Sequence, residues 1–213
     1  MLEPLIHDWS NIMTRAETRK LLIDVGTNVI GAQGFNPTGL NTVLQTAGVP
    51  KGSFYYYFAS KEDFGLAIID ETAAEYAEQI DGFLQDQRFT PLARIHNYLQ
   101  AGLQRIRDGQ CKRGCLIGTL GQELSSQNET FRARLDAVFE GWKQQFSQCL
   151  LAAKTTGELP ADADVMQLAE FLLSGWQGAI LRAKMQQNIA PLEAFITLLF
   201  KHVLTAERPV TAA

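Results

Sequence analysis

Within eight residues, Lys51-Gly52-Ser53-Phe54-Tyr55-Tyr56-Tyr57-Phe58 collects an ammonium, an unhindered glycine backbone, a hydroxyl and three phenols, and Lys61 follows. Read as a helix, Phe54 and Phe58 stand at i and i+4 with Tyr57 at i+3, which predicts that these three pack into a core. Three consecutive tyrosines span about 200° of helix, so they cannot all face that core. The opposite face, Lys51, Gly52, Ser53, Tyr55 and Tyr56, can donate hydrogen bonds to phosphates and lie flat on sugars and thymine methyls. Gly52 lets the backbone approach closely. Lys61, with the free N–H groups that open its helix, is placed to meet a phosphate. An aromatic run at helical spacing is most often core alone. The forced exposure of a tyrosine beside Lys, Gly and Ser favours a contact surface instead.

A second candidate is Cys115, which follows Lys112-Arg113-Gly114 and opens the helix Cys-Leu-Ile-Gly-Thr-Leu. The adjacent cations and the helix N-terminus are expected to favour thiolate over thiol, the setting of a reactive cysteine. The competing reading is an inert core thiol, since free cysteine is among the most buried residue types. Cys111, Cys115 and Cys149 form an odd set that fits no disulfide framework, which predicts free thiols in a reducing compartment. With His7, His96 and His202 the only histidines, a four-ligand zinc site is not expected. Gly114, Gly118 and Gly121 match neither a dinucleotide nor a P-loop pattern, so no cofactor is expected, and small residues at this spacing commonly permit close helix packing. Thiol enzymology would need Cys115 and His96 brought within hydrogen-bond reach. A helical adaptor that binds protein through Tyr55 and Tyr56 is a third class.

The elements that must position these groups are helices. Apolar residues recur at helical spacing throughout, and strand-like alternation is almost absent, so the fold class is all-α with about nine helices. The first is predicted over Arg15 to about Gln33, with Gly34 as a left-handed cap. Thr38 can cap a short helix carrying Leu40, Val43 and Leu44 that stops at Gly48-Val49-Pro50. A second short helix, Lys51 to Phe58, completes a helix-turn-helix, and Ser60 with Asp63 caps a long helix reaching about Gln87. Pro91, Asp108-Gly109, Ser125 to Asn128, Gly157 to Ala163 and Asn188 to Pro191 punctuate the remainder, and Arg208 to Ala213 reads as a frayed tail.

Of the 213 residues, 46% are hydrophobic and 20% charged, and the mean hydropathy is −0.07, an ordinary globular composition. No stretch is apolar for long enough to span a membrane, and Met1 to Ser10 lacks the basic flank of a signal peptide, so the cytoplasm is the expected compartment and no membrane partner is expected. The net charge of −4 argues at first against nucleic acid. Its distribution reverses the argument. Residues 1–61 carry Arg15, Arg19, Lys20, Lys51 and Lys61 against Glu3, Asp8, Glu17 and Asp24, a net +1, leaving −5 on the rest. A near-neutral head on an acidic body implies few phosphate contacts and a modest salt dependence.

The stretch from Arg15 to about Ile69, above all Val49-Pro50-Lys51-Gly52-Ser53-Phe54-Tyr55-Tyr56-Tyr57-Phe58 and Ser60-Lys61-Glu62, resembles the DNA-binding domain of TetR/AcrR-type transcriptional repressors. The resemblance implies a ligand-released regulator rather than an enzyme. It would be a homodimer on a pseudo-palindromic DNA operator, with a DNA-binding domain over 1–61 (ordered from about 15) and a ligand-binding and dimerisation domain over 62–213. It also implies that Thr38 contacts phosphate, that Lys51, Gly52, Ser53, Tyr55 and Tyr56 face the major groove, and that Lys61 meets the backbone. The family usually has His where Tyr57 stands. Val165 to Met185 and Leu192 to Leu204 are amphipathic, and Leu168, Phe171, Leu172, Trp176, Phe195 and Leu199 are expected at a four-helix dimer interface. Phe139, Trp142 and Gln177 are expected to line an effector pocket. Arg113-Gly114-Cys115-Leu116, with Gly175-Trp176-Gln177-Gly178-Ala179 and Lys184, resembles the subgroup that answers reactive electrophiles or small unsaturated metabolites. That resemblance implies Cys115 as the sensor with Lys184 nearby.

Overall fold

The computed structural model describes residues 13–205. The expectations placed on Met1 to Ser10, His7 and Arg208 to Ala213 lie outside the described residues. Nine α-helices and no strand occur among the described residues: α1 (Arg15–Gln33), α2 (Leu40–Ala47), α3 (Phe54–Tyr57), α4 (Lys61–Leu84), α5 (Pro91–Asp108), α6 (Leu116–Leu124), α7 (Glu129–Thr155), α8 (Val165–Gln186) and α9 (Ala190–Leu198). The chain divides into two compact units, at Ile68 and Ile69.

In the first unit, α1 starts at a reciprocal cap. Thr14 Oγ1 accepts from the Glu17 N–H at 3.2 Å, and the Glu17 carboxylate accepts from the Thr14 N–H at 2.7 Å. Gly34 ends α1 with φ +90° and ψ 166°, a positive φ but not the helical left-handed well predicted for it. Gly48, at φ +66°, does occupy that well and closes α2. The predicted second short helix is shorter and tighter than a continuous Lys51–Phe58 helix. Lys51–Ser53 form a 3₁₀ turn, and only Phe54–Tyr57 are α-helical. Ser60 caps α4 as expected, its Oγ accepting from the Asp63 N–H at 3.0 Å while the Asp63 carboxylate takes the Ala59 N–H at 2.9 Å.

Phe54, Phe58 and Phe64 form the aromatic heart of this unit, with centroids 4.8 to 5.6 Å apart, beneath Leu22, Ile23, Ile30, Val43 and Leu44. Tyr57, expected in that core, is only half-buried because it packs edge-on against Tyr56 at 5.2 Å.

In the second unit, α7 packs mainly on α8, α8 on α9, and α5 on α7. Side-chain caps set the starts of the long helices. Asn128 Oδ1 accepts from the Phe131 N–H, and Asp164 Oδ1 accepts from the Met166 and Gln167 N–H groups. The core runs through Ile95, Leu99, Ile117, Phe146, Leu150 and Ala183. Among the described residues, no helix is long and apolar enough to cross a membrane.

Candidate DNA-reading face and effector cavity

In the first unit, burial of Phe54 and Phe58 turns the intervening residues outward, leaving Tyr55 72% and Tyr56 59% exposed beside the exposed Lys51 and Gly52. Ser53 is half-buried, and its hydroxyl donates to the Pro50 carbonyl at 2.7 Å, which holds the 3₁₀ turn in shape. One contributor was not singled out from the sequence. Arg15 Nη2 donates to the Tyr56 carbonyl at 3.0 Å, and its guanidinium lies 4.3 Å over the Tyr56 ring. Arg19 lies 4.9 Å over Phe58. Both cations project from the first turns of α1 onto the aromatic element in a cation–π arrangement, and Arg15 adds positive charge beside the exposed Tyr56. The sequence signal was present in the charge count but gave no partner, because a 41-residue separation conceals the contact.

Two phosphate candidates stand differently from expectation. Thr38 is 2% exposed and its hydroxyl donates to the Gly34 carbonyl at 2.6 Å, so it closes the α1–α2 loop from within. The N-cap of α2 is Gly39 instead, so no side chain caps this helix. The Lys61 ammonium donates to the carbonyls of Phe35 and Asn36, at 2.8 and 3.2 Å, and lies 4.7 Å from the Phe35 ring, so it fastens the same loop.

In the second unit, a cavity of about 270 Å³ is lined by Tyr76, Tyr98, Arg105, Cys115, Trp142, Trp176 and Gln177, among others. A second hollow, of about 510 Å³, shares Gly114, Cys115, Gln177 and Ile180 and adds Lys184. Cys115 and Gln177 therefore stand where the two spaces meet, with Lys184 lining only the second. Phe139 is behind the wall, half-buried and edge-on to Trp142 at 5.2 Å, so it supports the indole and does not line the space. Gly118 is held against α8, where an added Cβ would meet Gln177 Oε1 at 2.5 Å. Gly102 admits Trp176 in the same way, its hypothetical Cβ lying 2.8 Å from the indole Cζ2.

Cys115 is the N-cap of α6, with Sγ accepting from the Gly118 N–H at 3.5 Å. The cap geometry was legible, but its electrostatic consequence was not. Burial pushes the thiol above its ordinary value of 9.0, and the opposing pull of the Gly118 N–H, Gln177 and the Ile117 N–H is smaller. The expected thiolate is thus disfavoured, because the predicted helix-terminus effect acts inside a desolvated site. Cys149, also buried, rises to about 11, again through burial. Thiolate drives alkylation, so maleimide modification of Cys115 is expected to climb about tenfold per pH unit from pH 7 to 9. Mass spectrometry of timed quenches measures it, and a plateau below pH 8 contradicts the buried thiol. The enzyme alternative gains no geometry. The His96 ring packs on Phe200 at 5.0 Å and contacts Gln100, whereas Gly118, Ile117 and Gln177 act on Cys115.

The expected dimer residues separate into two sets. Leu172 and Trp176 of α8 and Leu199, just past α9, are buried in the protomer's own core, with Trp176 lining the cavity. Phe171 is 50% exposed, and Leu168 and Phe195 are half-buried. With exposed Ser174, Gly178, Leu181 and Met185, Phe171 forms a stripe along α8 at alternating spacings of three and four, and Leu198 of α9 is exposed as well.

The sequence matches two family models, "Bacterial regulatory proteins, tetR family" over residues 22–68 and "Tetracyclin repressor-like, C-terminal domain" over residues 91–199. It is 36% identical to the transcriptional repressor DhaR of Mycobacterium sp. strain GP1, with 93% of this chain and 98% of that protein aligned. It is 39% identical to the transcriptional regulator AcuR of Cereibacter sphaeroides, over 86% of this chain and 84% of that protein. The crystal structure of reduced Escherichia coli NemR superposes with a TM-score of 0.80 at 32% identity, covering 91% of this chain and all of that one. A helix-turn-helix head, a helical body with an internal cavity, and similarity along both establish that this chain belongs to the TetR family of transcriptional repressors, with an N-terminal DNA-binding domain and a C-terminal ligand-binding domain.

Proposed function

We propose that the protein is a ligand-released repressor whose head, residues 1–61, reads a pseudo-palindromic operator through Lys51, Gly52, Ser53, Tyr55 and Tyr56, with Arg15 steadying Tyr56. The observation that carries this reading is the division of one short element. Phe54 and Phe58 are in the core, while Tyr55 and Tyr56 stand in solvent beside Lys51. Two heads act together. The stripe Phe171, Ser174, Gly178, Leu181 and Met185, with Leu198, supports pairing of α8 and α9 with the same helices of a second copy, the small residues admitting close approach. The paired recognition elements then stand roughly 34–36 Å apart, or a multiple of that.

The body, residues 62–213, senses a small unsaturated or electrophilic molecule in the cavity bordered by Cys115. With an activated alkene, Cys115 Sγ bonds to the β-carbon, the π pair moves to the α-carbon, and that carbon gains a proton as the thiol loses its own. No oxidant is needed. The test is a gel shift on the DNA flanking the protein's own gene, with and without N-ethylmaleimide or acrolein. Release by either reagent that is lost in Cys115→Ser is the expected outcome, and release that persists in Cys115→Ser overturns the sensor assignment.

A further inference from the structure

The lining of the cavity of about 270 Å³ is unbalanced in charge. Among its fourteen described residues are two arginines, Arg105 and Arg113, and no carboxylate. Arg105, on α5, lines this cavity together with Tyr76 of α4 and Tyr98 of its own helix, and its positive charge acts on both phenol hydroxyls. A guanidinium only donates, and a phenol hydroxyl can donate as well, so all three groups can serve one acceptor. Burial raises both phenols, Tyr76 to about 12, so each is a protonated donor at neutral pH. Glu75, whose charge reaches Tyr76, is exposed and is not part of the lining. The rest of the wall is flat and apolar: the indoles of Trp142 and Trp176, both buried, with Leu173 and Ile180. The cavity wall therefore offers a cation and two phenolic donors, and no carboxylate is among its described lining residues. The remainder offers aromatic faces.

We propose that the effector is a small organic carboxylate with a flat unsaturated or aromatic tail, its carboxylate held by Arg105 and the Tyr76 and Tyr98 hydroxyls and its tail against Trp142 and Trp176. The assignment rests on the reading of this cavity as the effector site and specifies its ligand class. A guanidinium with flanking hydroxyls matches the two oxygens of a carboxylate, and such charge-assisted bonds are stronger than neutral ones. The cavity of about 270 Å³ lies just under the usual range for drug-sized ligands, which selects compact acids. Because recognition uses Arg105 and not the thiol, an unreactive acid is bound as well as a reactive one.

Benzoate and its neutral isostere benzamide test this on the purified full-length protein by calorimetry. Benzoate is expected to bind about tenfold to a hundredfold more tightly than benzamide. Arg105→Gln is expected to abolish that preference, and Arg105→Lys to restore part of it. Arg105 is largely solvent-exposed, so neither change threatens the core. Equal affinities, no binding of either compound, or an undiminished preference in Arg105→Gln overturns the proposal. Benzoate binding that leaves the operator complex intact supports the anion subsite and overturns the effector reading of the cavity. Release by N-ethylmaleimide without any benzoate preference does the reverse.

Discussion

Tyr55→Ala is expected to remove operator binding while leaving the dimer and its helix content unchanged. Tyr55 is 72% exposed, and its ring meets that of Phe54 edge-on at 5.4 Å, so its removal leaves no cavity in the head. At DNA the loss is large, because a good base contact contributes about 1–3 kcal/mol and a dimer loses it in both half-sites, about 30-fold in affinity at the least. Tyr55→Phe separates ring from hydroxyl, since a variant that binds as the wild type assigns the contact to the ring lying on apolar base edges. Lys51→Ala should act differently, weakening binding on every sequence and lowering the salt slope by about 1 for each head. Fluorescence anisotropy at three salt concentrations, with size-exclusion mass as the control, measures all of this. Wild-type affinity in both Tyr55→Ala and Lys51→Ala would falsify the assigned face.

Phe64→Ala should have the largest effect on stability. Phe64 is buried against Phe54 and Phe58, and it fills the space that Gly26 leaves on α1. Truncating a buried phenylalanine costs about 3–5 kcal/mol, a large part of what stabilises an ordinary domain. Gly26→Leu attacks the same joint from the opposite side, since even a Cβ there collides with Phe64 and meets Ile68 Cδ1 at 2.8 Å. In either variant, hydrogen exchange should lose protection across α1 to α3, and operator binding should fail on warming well before the wild type. Unchanged protection in these helices for both variants would show that the aromatic cluster does not hold the head together.

The head was readable because its signals are local. Gly48, the Phe54 and Phe58 spacing and the Ser60 cap each act within a few residues, and the structure keeps them. What escaped required knowledge of distant partners. Thr38 is drawn inward by Gly34 and Lys61 is engaged by Phe35, and Arg15 meets Tyr56 across 41 positions. The body was less legible for the same reason. Amphipathic spacing on α8 marks which residues share a face but not which face meets solvent, so Trp176 and Leu172 were assigned outward although they fill the protomer. Cys115 shows a conflict of effects: sequence displays the helix terminus and the cations, while desolvation depends on helices that arrive from elsewhere.

The cap that Cys115 provides gives its chemistry a second address. Sγ receives the Gly118 N–H, and Gly118 is the position where α6 lies against Gln177 of α8. Alkylation of Cys115, as proposed above, would enlarge the sulfur and weaken the bond from that N–H, so the first turn of α6 would lose its cap. On the proposed sensing role, an adduct would then signal through fraying of this first turn of α6. It would be visible as faster deuterium uptake at the Gly118 amide even with a reagent too small to fill the cavity.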